Sequence, residues 1–395
     1  MALLTQVSAV TAMNLRSIPQ RLWSSLATVI AVALVTGVLL GFLALANGFQ
    51  STMTGTGSDD IAIFIRKGAG GELNSTLSND QLQLIAEGPG IARDAAGKPI
   101  VSGELYVIVD GKRRSTGAKG NLPFRGVGPM AEGTRSNVKI SQGRMFQPGL
   151  AEIVVGKGIV SEFAGFDLGA TVKLGGQAWT IVGVFDAGGS AFESELWADI
   201  NLLGSVYNRG SSVQTVRAKM TSPAALQGLK DYSEADPRLK LDVQAERAFY
   251  ASQAGGISDL IFFLGWPLAI AMSFGALAGA LNTMYASVDA RMRDIATLRA
   301  IGFGGFPAFV GTMAEALLLS ALGGLLGALL VYLLFDGLSA ATLGGGFTQV
   351  VFQMQLSPAL VVQGVILALV IGFVGGLFPA WRAARVPLLA AFRAT

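Results

Sequence analysis

The 395-residue chain contains no cysteine and no histidine. Without cysteine there are no disulfides, no thiolate nucleophile and no thiolate metal site. Without histidine, Ser-His-Asp catalysis, His-ligated zinc and the usual general base near neutral pH are excluded. Charge is scarce as well: Asp, Glu, Lys and Arg make up 14 % of the residues, against roughly 25 % in soluble globular proteins. A formal net charge of +3 is too small a bias to suggest nucleic acid as a partner. No G-x-x-x-x-G-K-[ST] sequence occurs, so these residues offer no Walker-type ATP site. The chain is therefore not expected to be an enzyme, and no catalytic, cofactor-binding or metal-ligating residues are assigned. Apolar residues are abundant instead, at 51 %, with 52 glycines.

The charge-free stretches organise the chain. They run over 22–58, 260–288, 316–335 and 337–381. A bilayer-spanning helix needs about 20 apolar residues, whereas buried helices of soluble proteins rarely exceed about 14. Transmembrane helices are expected at 24–46, 260–286, 307–335 and 358–380. The first run is about twice the length of a signal-peptide core and reads as a retained anchor. Basic residues set the orientation. Arg16 and Arg21 precede the first span, Arg291, Arg293 and Arg299 lie between the second and third, and Arg382, Arg385 and Arg393 follow the fourth. The positive-inside rule places the amphipathic segment 1–23, the loop 287–306 and the tail 381–395 in the cytosol. The long insert 47–259 and the short loop 336–357 then lie outside. Both the membrane and the bilayer lipid are thus implied surroundings of the chain.

The insert reads as α+β. Strands are expected at 61–65 and 101–109, the latter ending at an Asp110-Gly111 turn. Ser78 and Gln81 form a capping-box pattern that opens a helix running to Glu87. The order recurs with a strand at 213–217, a helix at 222–232 and a strand at 239–243. These two βαβ-like halves flank a β-rich middle subdomain at about 140–205, with strands at 152–155, 170–174 and 179–185. Gly175-Gly176 is a hairpin signal between the last two, and Gly188-Gly189 reads as a turn. Glu193 and Glu195 alternate within 192–197, which reads as a solvated strand face rather than an acid–base pair. Residues 48–258 are expected to fold as a self-contained unit with neighbouring ends. The fold class is membrane α plus periplasmic α+β: four transmembrane helices with a large extracytoplasmic domain between helices one and two.

Met292, Ile295, Leu298 and Ile301 recur every third residue, giving a drifting apolar stripe. That periodicity fits a partner-docking helix and a helix lying on the membrane surface equally well. Glu315 is the one acid close to a span; a carboxylate at mid-bilayer costs about 2.5–3.5 kcal/mol and needs a partner. A place at the inner boundary suits it better. Glycine pairs four apart occur in every span, at 37/41, 275/279, 323/327 and 372/376, a spacing that lets helices approach closely.

Two C-terminal segments are recognisable. Arg291-Met-Arg-Asp-Ile-Ala-Thr-Leu-Arg-Ala-Ile-Gly302 leads into Ala314-Glu-Ala-Leu-Leu-Leu319, and Gly375-Gly-Leu-Phe-Pro-Ala-Trp-Arg-Ala-Ala-Arg385 closes the fourth span. The insert adds Gly143-Arg-Met-Phe146, Glu152-Ile-Val-Val155 and Trp179-Thr-Ile-Val-Gly-Val184. Together they resemble the MacB-like and FtsX-like permeases, the type VII ABC transporter permeases, here without a fused ATPase. The resemblance implies a permease that pairs with a second copy, docks a cytosolic ABC ATPase that binds ATP and Mg, and works with a periplasmic adaptor and an outer-membrane duct. It implies export of an amphipathic or hydrophobic substrate across the bacterial inner membrane. FtsX-like control of a periplasmic enzyme and LolC/LolE-like lipoprotein extraction are the alternatives. It further implies ATPase docking by Arg291, Met292, Ile295, Leu298, Arg299 and Ile301, with tail contacts from Arg382, Arg385 and Phe392. The chain departs from the family pattern after Gly302, where Phe303-Gly-Gly-Phe-Pro307 replaces a basic or polar continuation.

Overall fold

A computed structural model describes residues 3–135, 137–343 and 349–386. The chain divides into two compact units. One comprises Met1–Asn47, Leu260–Leu338 and Gln355–Thr395, the other Gly48–Asp259 with Ser339–Met354.

The first unit is helical. Helix α1 covers Leu3–Arg16, and a 3-10 turn at Ile18–Arg21, with Pro19 in its first turn, leads into α2 at Leu22–Thr54. Helices α7 (Glu246–Ala290), α8 (Met292–Ala300), α9 (Gly305–Phe335) and α10 (Pro358–Ala384) complete the set. Four of these helices are long and apolar enough to cross a bilayer. Two of them extend past their apolar runs, α2 at its C-terminal end and α7 at its N-terminal end. Ser357 caps α10 by accepting from the Leu360 N–H, and Pro358 occupies the first turn, where no N–H is needed.

Side-chain size decides how closely the helices pack. A Cβ on Gly327 would lie 2.6 Å from the Ala33 carbonyl oxygen of α2, and one on Gly376 2.6 Å from Ala316 Cβ of α9. The 323/327 and 372/376 pairs are therefore close helix contacts. The 275/279 pair of α7 is not, since nothing lies within 4 Å of either position. Leu39, Leu40 and Leu43 of α2 fill the space between Ala269, Ala328, Val331 and Leu360.

The second unit is built on a large mixed sheet. Its strands are β1 (Ile61–Arg66), β2 (Val101–Arg113), β3 (Lys119–Val127), β4 (Lys139–Gly143), β5 (Glu152–Gly156), β6 (Phe163–Ala164), β7 (Thr171–Leu174), β8 (Gln177–Asp186), β9 (Leu196–Asp199), β10 (Thr215–Lys219) and β11 (Leu241–Ala245). The main order is β11-β1-β10-β2-β3-β9-β5-β8-β4, with β6 on β2 and β7 on β8. Helices α3 (Asn79–Ala86) and α6 (Ala225–Ala235) connect β1 to β2 and β10 to β11. Each connection skips a strand contributed by the other half, and all four strands are antiparallel to their neighbours. This is the split β-α-β arrangement of ferredoxin-like folds, with the middle subdomain inserted between its halves. The two β-α-β halves interlock in one sheet.

Local signals hold at α3 and at the β7–β8 hairpin. Ser78 and Gln81 form both hydrogen bonds of the capping box, and Gly175 and Gly176 take positive φ values of 59° and 85°. The Asp110-Gly111 turn does not form. Strand β2 runs on to Arg113, with Asp110 opposite Asn121 and Gly111 opposite Gly120. Gly111 is small for packing instead, because a Cβ there would lie 2.5 Å from Leu122 Cδ1. The middle subdomain adds the short helices α4 (Lys157–Glu162) and α5 (Ile200–Val206). Phe124, Ile153, Val155, Phe163 and Trp179 form its core. The buried Trp179 indole donates to the Leu174 carbonyl at 3.1 Å.

Residues 336–357 contain more than a loop. Strands β12 (Ser339–Leu343) and β13 (Gln349–Gln353) pair antiparallel within the second unit. Val351 joins the middle core, its N–H donates to Ser194 Oγ at 2.8 Å, and Phe352 meets the Phe49 ring edge-on at 5.6 Å. Within the insert, the segment before β1 meets the start of α7: Ser58 N–H donates to Glu246 Oε2 at 3.3 Å. A soluble fragment of residues 48–259 should consequently be less stable than one carrying residues 339–354 on a linker. Burying a valine is worth about 1.5–3 kcal/mol, so the urea midpoint should rise by a comparable stability on adding the hairpin. Equal midpoints would show that the hairpin is not part of the core.

Candidate functional site: the α8 segment, Glu315 and a buried arginine–glutamate network

The apolar stripe of α8 divides between an inner and an outer face. Successive residues of an α-helix are about 100° apart, so each three-residue step lags about 60° around the helix. Ile295, the second position of the stripe, is buried against Val288, Ala308, Ala383 and Val386, with Met292, the first, packed beside it. Leu298 is half-buried, and Ile301 is 69 % exposed. The Arg299 guanidinium donates to the Val386 carbonyl. Arg382 pairs with Asp289 at 3.0 Å and lies 5.6 Å from the Tyr285 ring. Arg385 stacks 4.3 Å from the Trp381 ring. Phe392 lies outside the described residues. The surface available to a partner thus consists of Leu298 and Ile301 rather than the whole stripe.

Arg291 faces inward. It is buried, and its Nη2 donates to Glu315 Oε2 and to Ser287 Oγ, both at 2.6 Å. Glu315 is 1 % exposed. Its other oxygen accepts from Arg21 Nη2 and from Ser287 Oγ, both at 3.1 Å, and Arg21 Nη1 also reaches Ser287 Oγ. One carboxylate on α9 therefore holds the arginine that precedes α2 and the arginine that precedes α8. Glu315 ties helices together.

The insert domain carries a second charged cluster, which sequence reasoning missed. Arg125 of β3 uses all its donors. Nε and Nη2 clasp Glu195 at 2.8 and 2.6 Å, Nη1 and Nη2 clasp Glu72 at 2.8 and 3.0 Å, and Nη1 reaches Glu104 at 3.1 Å. Arg135 grips Glu104 at 2.5 and 2.6 Å. Arg217 of β10 reaches Glu104, donates to Glu246 at 2.6 Å and to the Tyr250 hydroxyl at 2.8 Å. All seven charged groups are buried. Burial opposes the charge on Glu104, but the Arg135, Arg217 and Arg125 guanidiniums outweigh it and hold the carboxyl at about 2. The same contest leaves Glu72 far below the usual carboxylate range, through Arg125 and Arg217. Burial likewise opposes the Arg125 charge, and Glu195 and Glu72 overcome it.

Glu195 is thus not on a solvated face. Ala191–Ser194 form a 3-10 turn instead of a strand, and this turns Glu195 inward onto Arg125 and the Trp197 indole N–H. Glu193 instead accepts from the Ala187 and Gly189 N–H groups and closes the Gly188-Gly189 turn. With its oxygens taken by Arg125 and the Trp197 indole, Glu195 braces the domain rather than serving acid–base chemistry. Among the described residues, no group of three or more acidic side chains could hold a metal ion.

Residues 25–235 match the MacB-like periplasmic core domain, and residues 267–388 match the FtsX-like permease C-terminal domain. A protein of Neisseria gonorrhoeae named as the macrolide export ATP-binding/permease protein MacB is 26 % identical, covering 95 % of this chain and 59 % of its own length. The pyoverdine export ATP-binding/permease protein PvdT of Pseudomonas entomophila is 24 % identical, covering 91 % of this chain and 55 % of its own. The chain therefore spans less than two thirds of these relatives. Among solved structures, the periplasmic region of MacB from Actinobacillus actinomycetemcomitans is 15 % identical, covers 50 % of this chain and 94 % of that one, and has a TM-score of 0.36. The extracellular domain of YknZ, a noncanonic ABC-type transporter of Gram-positive bacteria, covers 47 % of this chain and 98 % of that one at 15 % identity, with a TM-score of 0.34. With the first domain match alone taking in more than half of the sequence, the chain belongs to the MacB-like and FtsX-like permease family of ABC transporters.

Proposed function

We propose that the chain is the permease subunit of a bacterial ABC exporter. Two copies pair in the inner membrane with both termini cytosolic, and separate cytosolic ATPase subunits dock on each. ATP binding and hydrolysis by those subunits move the periplasmic domains and expel an amphipathic or hydrophobic substrate through an adaptor and an outer-membrane duct. The observation that carries this reading is the presence, in one chain, of the two family domains joined to four membrane-length helices. Relatives named for macrolide and pyoverdine export favour export over control of a periplasmic enzyme. The orientation rests on the arginines flanking the spans.

The exposed part of α8 is the docking candidate in this scheme. Burying an isoleucine against a partner is worth about 1.5–3 kcal/mol, or roughly 10- to 100-fold in affinity. Ile301→Asp should therefore weaken co-purification of the ATPase by at least about tenfold and abolish substrate-stimulated ATP turnover, while the permease still inserts. Leu298→Asp should act in the same direction. Lys139→Glu, on the exposed strand β4, should do neither. Normal ATPase binding and stimulation in Ile301→Asp would assign α8 to the membrane surface instead.

A further inference from the structure

Taking α8 as the ATPase dock, on which reading this rests, we propose that Glu315 is the positioning residue that couples α8 to α2. Its carboxylate locks the segment that carries the ATPase to the foot of a helix leading into the insert domain. Four elements converge on it. Arg21, the last residue of the 3-10 turn before α2, donates from Nη2 to Oε1 at 3.1 Å. Arg291, directly ahead of α8, donates from Nη2 to Oε2 at 2.6 Å. Ser287, in the last turn of α7, donates to Oε1 at 3.1 Å and accepts from both guanidiniums. Glu315 itself belongs to α9 and is enclosed. Arg21 and Glu315 are 294 positions apart in the chain, so the fold, and not the sequence order, makes this connection.

Two of these elements reach the insert domain. α2 is one helix over Leu22–Thr54 and α7 one over Glu246–Ala290, which at 1.5 Å per residue makes them about 50 and 68 Å long. They differ in stiffness. α7 carries Pro267 in its interior, where the ring removes one backbone hydrogen bond and favours a bend, whereas the α2 sequence has no proline. A displacement at the foot of α2 is therefore carried to its far end with less loss. The join at that foot is suited to bearing a load. Apolar side chains can slip past one another, whereas charge-assisted hydrogen bonds hold a fixed distance and angle, and an enclosed pair does not part cheaply. Arg21 is also the member that the helices can spare: its side chain is 16 % exposed, and Glu315 keeps Arg291 without it. Its place in the joint thus fits coupling better than maintenance of the fold.

The native chain has no cysteine, so Lys139→Cys on the exposed strand β4 gives a single site for a spin label in each copy. The labelled chain is purified with its ATPase in phosphatidylcholine nanodiscs. Double electron–electron resonance then reads the distance between the labels of a pair, without nucleotide and with ATP, magnesium and vanadate. Nucleotide should shift the distances in the chain with native Arg21. In Arg21→Gln the ratio of shifted to unshifted distances should fall at least about tenfold, the weight of one charge-assisted hydrogen bond, while the ATPase co-purifies in equal amount and still turns over ATP. Arg21 gives Glu315 a single bond, which an ammonium can replace, so Arg21→Lys should stay within about threefold of native. A full shift in Arg21→Gln, or a loss in Arg21→Lys equal to that in Arg21→Gln, would overturn the coupling role and leave the exporter reading standing. Loss of the ATPase from Arg21→Gln would overturn it too, because Arg21 would then serve docking. No nucleotide-dependent shift with native Arg21 would overturn the exporter reading and the coupling role with it.

Discussion

Arg125→Leu is expected to remove a large share of the stability of the insert domain. The side chain is fully buried and clasps Glu195 and Glu72 through paired donors while touching Glu104. Leucine fills part of the volume but leaves these carboxylates buried without their main counter-charge. Breaking a buried ion pair from one side costs about 3–5 kcal/mol, against a total stability of about 5–15 kcal/mol for a domain. Arg125→Lys should be nearly as damaging, because one ammonium cannot reproduce two bidentate grips. Arg238→Leu, which removes an exposed pair with Asp236, should change stability by less than about 1 kcal/mol. Urea unfolding of the domain and protease resistance of the full chain read the difference. A loss below about 1 kcal/mol for Arg125→Leu would mean that the network is not a brace.

The same network fixes the sign of the acid response. Glu104 ionises at about 2 in the folded domain, and an unfolded glutamate does so at about 4.3. Its folded pKa is depressed, so its contribution is complete above about 4.3 and is lost as pH falls through about 2. Glu72 shifts in the same direction. The urea midpoint should therefore drop steeply below about pH 4.

What could be read from the sequence follows the range of the signals. Four membrane-length helices, the Ser78–Gln81 capping box and the Gly175-Gly176 hairpin rest on residues within a few positions of one another, and local chemistry decides them. The brace does not. Arg125 and Glu195 are 70 residues apart, and Glu104 and Arg217 are 113 apart. A charged residue in a strand looks the same from its neighbours whether it meets water or a distant partner. The hairpin at 339–353 was hidden for a related reason. The segment reads as a short external loop because the core that takes up Val351 is built from residues far away in the chain. The stripe of α8 was visible, but which part of it stays exposed depends on Val288, Ala308 and Ala383, which lie on other helices.

Glu315→Leu should destabilise the helical unit more than loss of either of its arginine partners. Two guanidiniums share this carboxylate, and their surroundings differ. The Arg21 side chain is 16 % exposed and that of Arg291 6 %. Arg21 can swing its head toward water when its partner is lost, whereas Arg291 stays enclosed. Removing Arg21 still leaves a one-to-one pair between Glu315 and Arg291. Removing Glu315 strands a buried positive charge, at about 3–5 kcal/mol. Arg21→Leu should thus be the mildest change and Glu315→Leu the most severe. The Glu315→Leu/Arg291→Leu double variant should recover part of the loss, since it takes out the stranded charge along with its acceptor. Thermal unfolding of the purified chain in detergent ranks the variants. Arg21→Leu as damaging as Glu315→Leu, together with no recovery in the double variant, would show that Glu315 acts through its own packing and not through the two arginines.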